Sequence, residues 1–281
     1  MSELDSESKA HKLGGVGVVG AGRMGMSMIG HLCCKGFSVL ACELDEGKHE
    51  KIKQLGARVT TIQSMAQSVE FVLICVGFDQ QVQDLLDPRG EMLQHLQADA
   101  IVAVLSTVHP HSMLKMLDLA KDYPVHIVDA TVCRGGRAAD KGELLSFIGA
   151  EPPIFERLKP VVMSYSSDVV HSGGLGTAQA AKAANNLIMW ACLVANHEGL
   201  ALAKRYGVNV EQLRVALLGS TASNAPLLNW GDQSMSWADD DMEIVAEMAK
   251  EVNIALPQSG LVRELCRALK PRRYDLDRYG V

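Results

Sequence analysis

The sequence predicts an α/β half followed by an all-α half, and three observations carry that expectation. Between residue 13 and about residue 175, short apolar runs alternate with helical stretches. A glycine-rich turn, "GAGRMG", closes the first of those runs. Beyond residue 177 no run reads as a strand. Near-continuous apolar strands separated by helices imply a parallel sheet covered on both faces.

The expected strands, in order, are "VGVVG", "SVLACEL", "FVLICVG", "IVAVLS", "VHIVDAT" and "ELLSFIG". Each is short, rich in Val, Ile and Leu, and bounded by helical or turn-forming sequence. Residues 177–206 read as one unbroken Ala-rich helix that stops at Gly207. Further helices are expected at 209–218, 239–253 and 257–269, the last closed by Pro271. The polar segment 1–12 reads as a disordered tail, 13–176 as the α/β domain and 177–281 as the helical domain, with a hinge near "SGGLG".

Composition narrows the function classes. The chain is 48% hydrophobic and 21% charged, as a globular protein with a real core is. A net charge of −6 argues against a nucleic-acid partner, which would want a basic face. The C-terminal "KPRRYDLDR" interleaves its bases with acids and reads as a solvated tail. Seven cysteines form no CxxC pair and no zinc-like spacing, so no metal is expected. Their odd number and the absence of a secretion signal point to reduced thiols in the cytoplasm. The longest helical apolar run, "LIMWACLVA", is too short to span a bilayer, so no membrane partner is expected.

The turn after the first strand holds Gly20, Ala21, Gly22, Arg23, Met24 and Gly25 in G-x-G-x-x-G spacing and opens a helix. The first glycine makes the tight turn, the second lets the backbone approach a pyrophosphate, and the third lets helix and strand pack closely. The free N–H groups and positive dipole end of that helix then face the phosphates. These features define a Rossmann-type dinucleotide-binding domain. The second strand ends in Glu43, 18 residues beyond Gly25, where an acid accepts hydrogen bonds from a ribose diol and repels a 2′-phosphate, a role for which Asp45 competes. NAD is therefore favoured, while Arg23 in the glycine loop leaves NADP open.

The long helix carries a second pattern. Residues three and four apart share a helical face, so Lys182 lies beside Asn185 and Asn186, with Gln179 one turn earlier. Alanines at 178, 180, 181, 183 and 184 let another surface approach closely. A lysine among small apolar residues loses part of its hydration and is placed to exchange a proton, while two amides can orient a hydroxyl or carbonyl. A lysine snorkelling off a buried helix is the plainer alternative for this face.

Four blocks in order, "GVVGAGRMG", the "ST" of Ser106 and Thr107, "DATVCRGGRAADKGEL" and "GGLGTAQAAKAANN", cover nearly the whole chain after the tail. With them the chain resembles the β-hydroxyacid dehydrogenase family, which includes 3-hydroxyisobutyrate and tartronate semialdehyde reductases and is related to 6-phosphogluconate dehydrogenase. The resemblance implies NAD(P)-dependent hydride transfer at the carbinol carbon of a small β-hydroxy acid, and dimers or higher homo-oligomers built through the helical domain. It makes Lys182 the general acid/base and Asn186 its supporting amide. Asn185 falls where 6-phosphogluconate dehydrogenases carry a histidine. Thr107 matches a residue near the nicotinamide ribose, and Val76 and Gly77 end a strand at the cofactor edge. The family's substrate loop usually reads Ser-Gly-Gly, whereas Cys133, Arg134 and Gly135 stand here. Arg134 offers a planar fork for a carboxylate. Ala178 replaces a glycine before the lysine, and Asp240 stands where a late Lys-Asp-Leu block carries its lysine. Two rival readings remain at this level: an imine reductase of the same fold, against which Lys182 counts, and a non-catalytic NAD-binding regulatory protein.

Overall fold

The computed structural model describes residues 14–280, so the tail expected at 1–12 lies outside the described residues. The chain divides into two compact units, the first ending at Gln179 and the second beginning at Ala180.

The first unit is an eight-stranded sheet with helices. In order it comprises β1 (Gly15–Val19), α1 (Arg23–Cys34), β2 (Ser38–Cys42), α2 (His49–Gln54), β3 (Arg58–Val59), α3 (Ile62–Ala66), β4 (Phe71–Ile74) and α4 (Asp79–Leu85). There follow β5 (Ile101–Val104), α5 (Pro110–Leu119), β6 (His126–Cys133), α6 (Gly135–Lys141), β7 (Leu144–Gly149), α7 (Pro152–Val162) and β8 (Ser166–Gly173). The strand order is β3-β2-β1-β4-β5-β6-β7-β8. The order reverses at β1 and β4, and ligands of open α/β sheets bind at such a switch point, outside the carboxyl ends of the strands.

Alternation along the strands divides the core into two layers. Val16, Val18, Leu73, Ala103 and Val128 face Met28, Ile29 and Leu32 of α1 and Leu158 and Val161 of α7. Val72, Ile74, Val102, Val104 and Ile127 face Met65 of α3, Val82 of α4 and Met113 and Met116 of α5.

The sheet is parallel, as expected from sequence, with one exception: β6 pairs with β7 antiparallel. Only residues 134–143 join these two strands, and a parallel return needs a crossover of a dozen residues or more. Two strands were not legible in the sequence. The first, β3, has two residues, and β8, "SSDVVHSG", is largely exposed along its polar positions and lacks the apolar run that marks a buried strand.

The second unit is helical. Helix α8 (Thr177–Arg205) opens within the last residues of the first unit and continues into the second, followed by α9 (Val210–Leu217), α10 (Ala225–Leu228), α11 (Ala238–Glu251) and α12 (Pro257–Leu269). Trp190, Leu193 and Val194 of α8 pack with Met242 and Val245 of α11 and with Val262 and Cys266 of α12. Among the described residues no helix is long and apolar enough to cross a membrane.

The C-terminal segment, expected to be a solvated tail, is instead packed. Leu276 is buried with Leu200, Ala201 and Leu227. His197, fully buried, donates from Nδ1 to the Leu193 carbonyl at 2.7 Å and accepts the Tyr274 N–H on Nε2 at 2.9 Å. The ring is flanked by Trp230, Tyr274 and Tyr279. This pattern requires the neutral ring with its proton on Nδ1. Burial lowers the His197 pKa, against the opposing Leu193 hydrogen bond. The unfolded chain then takes up a proton near the ordinary histidine value, about 6.5, before the folded one does. Stability supplied by neutral His197 is therefore present above that value and is lost as pH falls towards the lower folded pKa. Urea unfolding followed by circular dichroism should show a His197→Gln penalty that is largest at neutral pH and shrinks below pH ~6. A penalty independent of pH would remove His197 titration as the cause.

Candidate active site

The glycine turn sits just past the carboxyl end of β1. Gly20 has φ +92°, and a Cβ there would lie 2.5 Å from the Cys75 carbonyl oxygen beyond β4, so only glycine fits. At Gly25 a Cβ would fall on the Gly20 carbonyl oxygen, which is how the third glycine lets α1 pack against the turn. At Gly22, the residue before α1, an added Cβ meets nothing within 4 Å. The cradle is thus closed by its own backbone at Gly20 and Gly25 and open at Gly22, which fits a pyrophosphate lying across the exposed second glycine. Ala21 is buried in this turn, and Met24 packs against the core layer beneath it.

Glu43 follows β2. Its carboxylate accepts the Ala21 N–H at 2.7 Å and the Asp45 N–H at 2.9 Å, and Lys48 lies 3.4 Å away. Burial alone would raise its pKa, but those N–H donors and Lys48 outweigh it and hold the carboxyl below the usual range. Arg23 is directed away from the role of phosphate ligand that its place in the loop suggests. Its guanidinium pairs with Asp140 of α6 at 2.5 and 2.7 Å and donates to the Gly136 carbonyl at 2.9 Å. Hydrogen bonds from Arg23 and Ser27 hold the Asp140 carboxyl down at about 2.

Beyond β4 and β5, Val76 and Ser106 are joined: the Ser106 hydroxyl accepts the Val76 N–H at 3.0 Å and donates to the Val76 carbonyl at 2.9 Å. The Gly77 N–H donates to the Gln81 side chain, and Thr107 is half-buried beside Ser106. Cys133 is buried at the end of β6, and Gly135 is exposed at the start of α6. Arg134 adopts φ +82°, a left-handed conformation that glycine takes freely and arginine only at a cost. Its guanidinium is already engaged by the Glu143 carbonyl, the Ser167 hydroxyl and Asp168, the last at 2.7 Å.

In the second unit the lysine face is built as a chain of polar contacts. Lys182 and Asn185 are half-buried and Asn186 is buried. The Asn185 side-chain amide donates to the Asn186 Oδ1 at 3.0 Å, and the Asn186 side chain hydrogen-bonds Asp241 of α11. The Trp190 indole donates to the same carboxylate at 2.9 Å. Burial pushes the Asp241 carboxyl up, while Trp190, the Lys182 charge and Asn186 favour its anion.

Asp241 was not singled out from sequence. The family pattern marks Asp240, which is exposed, whereas its neighbour turns to the lysine face. The only signal was its place in a run of three aspartates. Asp129 was missed as well. It is fully buried on β6 and accepts the Gly176 and Gln179 N–H groups at 2.8 and 2.9 Å, capping the first turn of α8. Gln179, expected on the lysine face, instead directs its side chain to the loop after β5. Among the described residues no group of three or more His, Cys, Asp or Glu is placed to hold a metal.

A doubly wound sheet with an open glycine cradle at its switch point defines the NAD(P)-binding class. The model for the NAD-binding domain of 6-phosphogluconate dehydrogenase matches residues 15–174, and that for the NAD-binding of NADP-dependent 3-hydroxyisobutyrate dehydrogenase matches residues 176–278. The chain belongs to this family of NAD(P)-binding hydroxyacid dehydrogenases. It is 26% identical over 263 residues to 2-(hydroxymethyl)glutarate dehydrogenase of Eubacterium barkeri, covering 89% of this chain and 87% of that one. Among solved structures it resembles the 3-hydroxyisobutyrate dehydrogenase of Mycobacterium tuberculosis, with TM-score 0.83, 17% identity, and 92% and 94% of the two chains covered. An imine reductase from Myxococcus stipitatus shares the fold at TM-score 0.66 and 18% identity, covering 91% and 93%.

Proposed function

We propose that the protein is an NAD-dependent dehydrogenase of a small β-hydroxy acid, with Lys182 as the group that moves the hydroxyl proton. Bound nicotinamide would supply the hydride acceptor in one direction and the donor in the other. Lys182 in its neutral form takes the hydroxyl proton during oxidation and, as ammonium, returns it to the developing alkoxide during reduction. Asn186, held by Asn185 and Asp241, orients the oxygen. In the first unit Arg134 is tied to Asp168 and Cys133 is buried, which leaves the exposed backbone at Gly135 as the open part of the expected substrate loop. The observation that carries this reading is the grouping of Lys182 and Asn186, on the helix that follows a complete cofactor cradle, with Asp241 of α11.

The exposed apolar residues Ile188 and Leu202 of α8 and Val215 of α9 support self-association through the helical unit, which light scattering would report as a multiple of the chain mass. We place the enzyme in the cytoplasm, as its seven free cysteines favour.

The test is NADH formation by the purified protein over a panel of short and long 3-hydroxy acids, with cyclic imines and NADPH as a separate arm. Turnover of at least one hydroxy acid is expected. Reduction of imines with every acid inert would replace this reading. A second result is expected from the same assay. Glu43 and Asp45 place two carboxylates at the end of β2, where the adenosine ribose of NAD(P) binds in this fold, and like charge disfavours a 2′-phosphate. NAD should exceed NADP by roughly 100-fold in kcat/KM, on the scale of several kcal/mol for like-charge juxtaposition. Equal use of both cofactors would show that Glu43 does not select.

A further inference from the structure

We infer that Gln179 is a positioning residue, whose buried amide fixes the backbone on both sides of Thr107 against the first turn of α8. This rests on the dehydrogenase reading in one respect, the placement of Thr107 beside the cofactor.

The geometry is specific. Gln179 is 1% exposed. Its Oε1 accepts the Val108 N–H at 3.1 Å, and its Nε2 donates to the Ser106 carbonyl at 2.8 Å. A backbone carbonyl only accepts and a backbone N–H only donates, so the amide has one possible orientation. The two groups it satisfies flank Thr107. Its own backbone N–H is held by Asp129, so the residue is anchored before its side chain reaches across. On the other side, the Ser106 hydroxyl binds both the N–H and the carbonyl of Val76. The loop ends expected at the cofactor edge, after β4 and after β5, are therefore joined at Ser106, whose carbonyl the Gln179 amide holds. Lys182 follows three residues later on the same helix.

A merely space-filling residue would not need both a donor and an acceptor. Buried polar groups that lose a partner keep their full desolvation cost, so removing the amide leaves Ser106 and Val108 to find new partners by moving. That movement displaces Thr107.

The measurement is NADH affinity, read from the fluorescence of the bound cofactor, in the full chain carrying Gln179→Leu or Gln179→Glu. Gln179→Leu should weaken NADH binding roughly tenfold, the scale expected when buried backbone groups lose their partners. In Gln179→Glu the carboxylate can accept from Val108 but only repels the Ser106 carbonyl, whereas the protonated acid restores both bonds. Its NADH affinity should therefore be poor at pH 8.5 and approach the native value at pH 6, while the native protein stays flat across that range. This recovery does not depend on Gln179→Leu folding. Native affinity in Gln179→Leu, or a Gln179→Glu affinity that ignores pH, overturns the assignment. Since no substrate is needed, a chain inert to every hydroxy acid would still report on Gln179, and the two readings fail separately.

Discussion

Lys182→Ala should lower kcat for the best hydroxy-acid substrate by roughly 10³-fold, within the range that a positioned general acid/base contributes. NADH affinity stays within twofold of native, because the glycine cradle belongs to the first unit and Lys182 to the second. The fold should survive. Lys182 is half-buried, with alanines at 180, 181, 183 and 184, and Ala suits a helix interior. Asp241 keeps its bonds from Trp190 and Asn186. It loses only the charge of the lysine, so its carboxyl rises further, since burial already pushes it in that direction. A kcat that stays within tenfold of native would remove the lysine from proton transfer and revive the reading of a lysine merely snorkelling from its helix. Small primary amines added to Lys182→Ala should restore part of the lost rate in proportion to their basicity, which a structural role would not produce.

Two glycines of one motif should behave oppositely. Gly25→Val drives a side chain into the Gly20 carbonyl, an overpacking for which the turn has no room. It should cost about 3 kcal/mol, lower Tm by ~10 °C and abolish NADH binding. Gly22→Ala meets no atom of the chain within 4 Å, and its backbone φ of −69° suits any residue. Tm should stay within ~1 °C of native, while the methyl group stands where the pyrophosphate approaches and weakens NADH binding at least tenfold. A Gly22→Ala protein that binds NADH normally would place the dinucleotide elsewhere.

These two residues also show what the sequence made legible. Glycine spacing after a strand announced the cradle, because backbone close approach admits no other residue. Strand and helix periodicity announced most of the architecture, since two buried faces demand it. Long-range polar geometry was not announced. Nothing in residues 174–186 indicates that Gln179 turns towards Ser106 while Lys182 turns towards Asp241. Those choices depend on which backbone groups other strands leave unpaired. Arg23 and Arg134 looked available for anions for the same reason: Asp140 and Asp168, which engage them, lie far along the chain or on a strand whose pattern hid it. The antiparallel β7 followed from loop length, a clue that the apolar pattern alone does not use.

The cap on α8 bears on the order in which the chain assembles. Asp129 comes from β6 and the groups bound by Gln179 from the loop after β5, so these long-range anchors of the first turn are complete only once those two strands lie side by side. Partners 47 to 73 residues apart make this a non-local event, and loop closure of that length is slow compared with helix formation. The helix can form early, but its register can be set only late. A slip of one residue would put Ala178 or Ala180 in the place of Gln179 and leave the Ser106 carbonyl and the Val108 N–H without their partner, an error too costly to persist. The same contacts that cap the helix therefore proofread its alignment during folding.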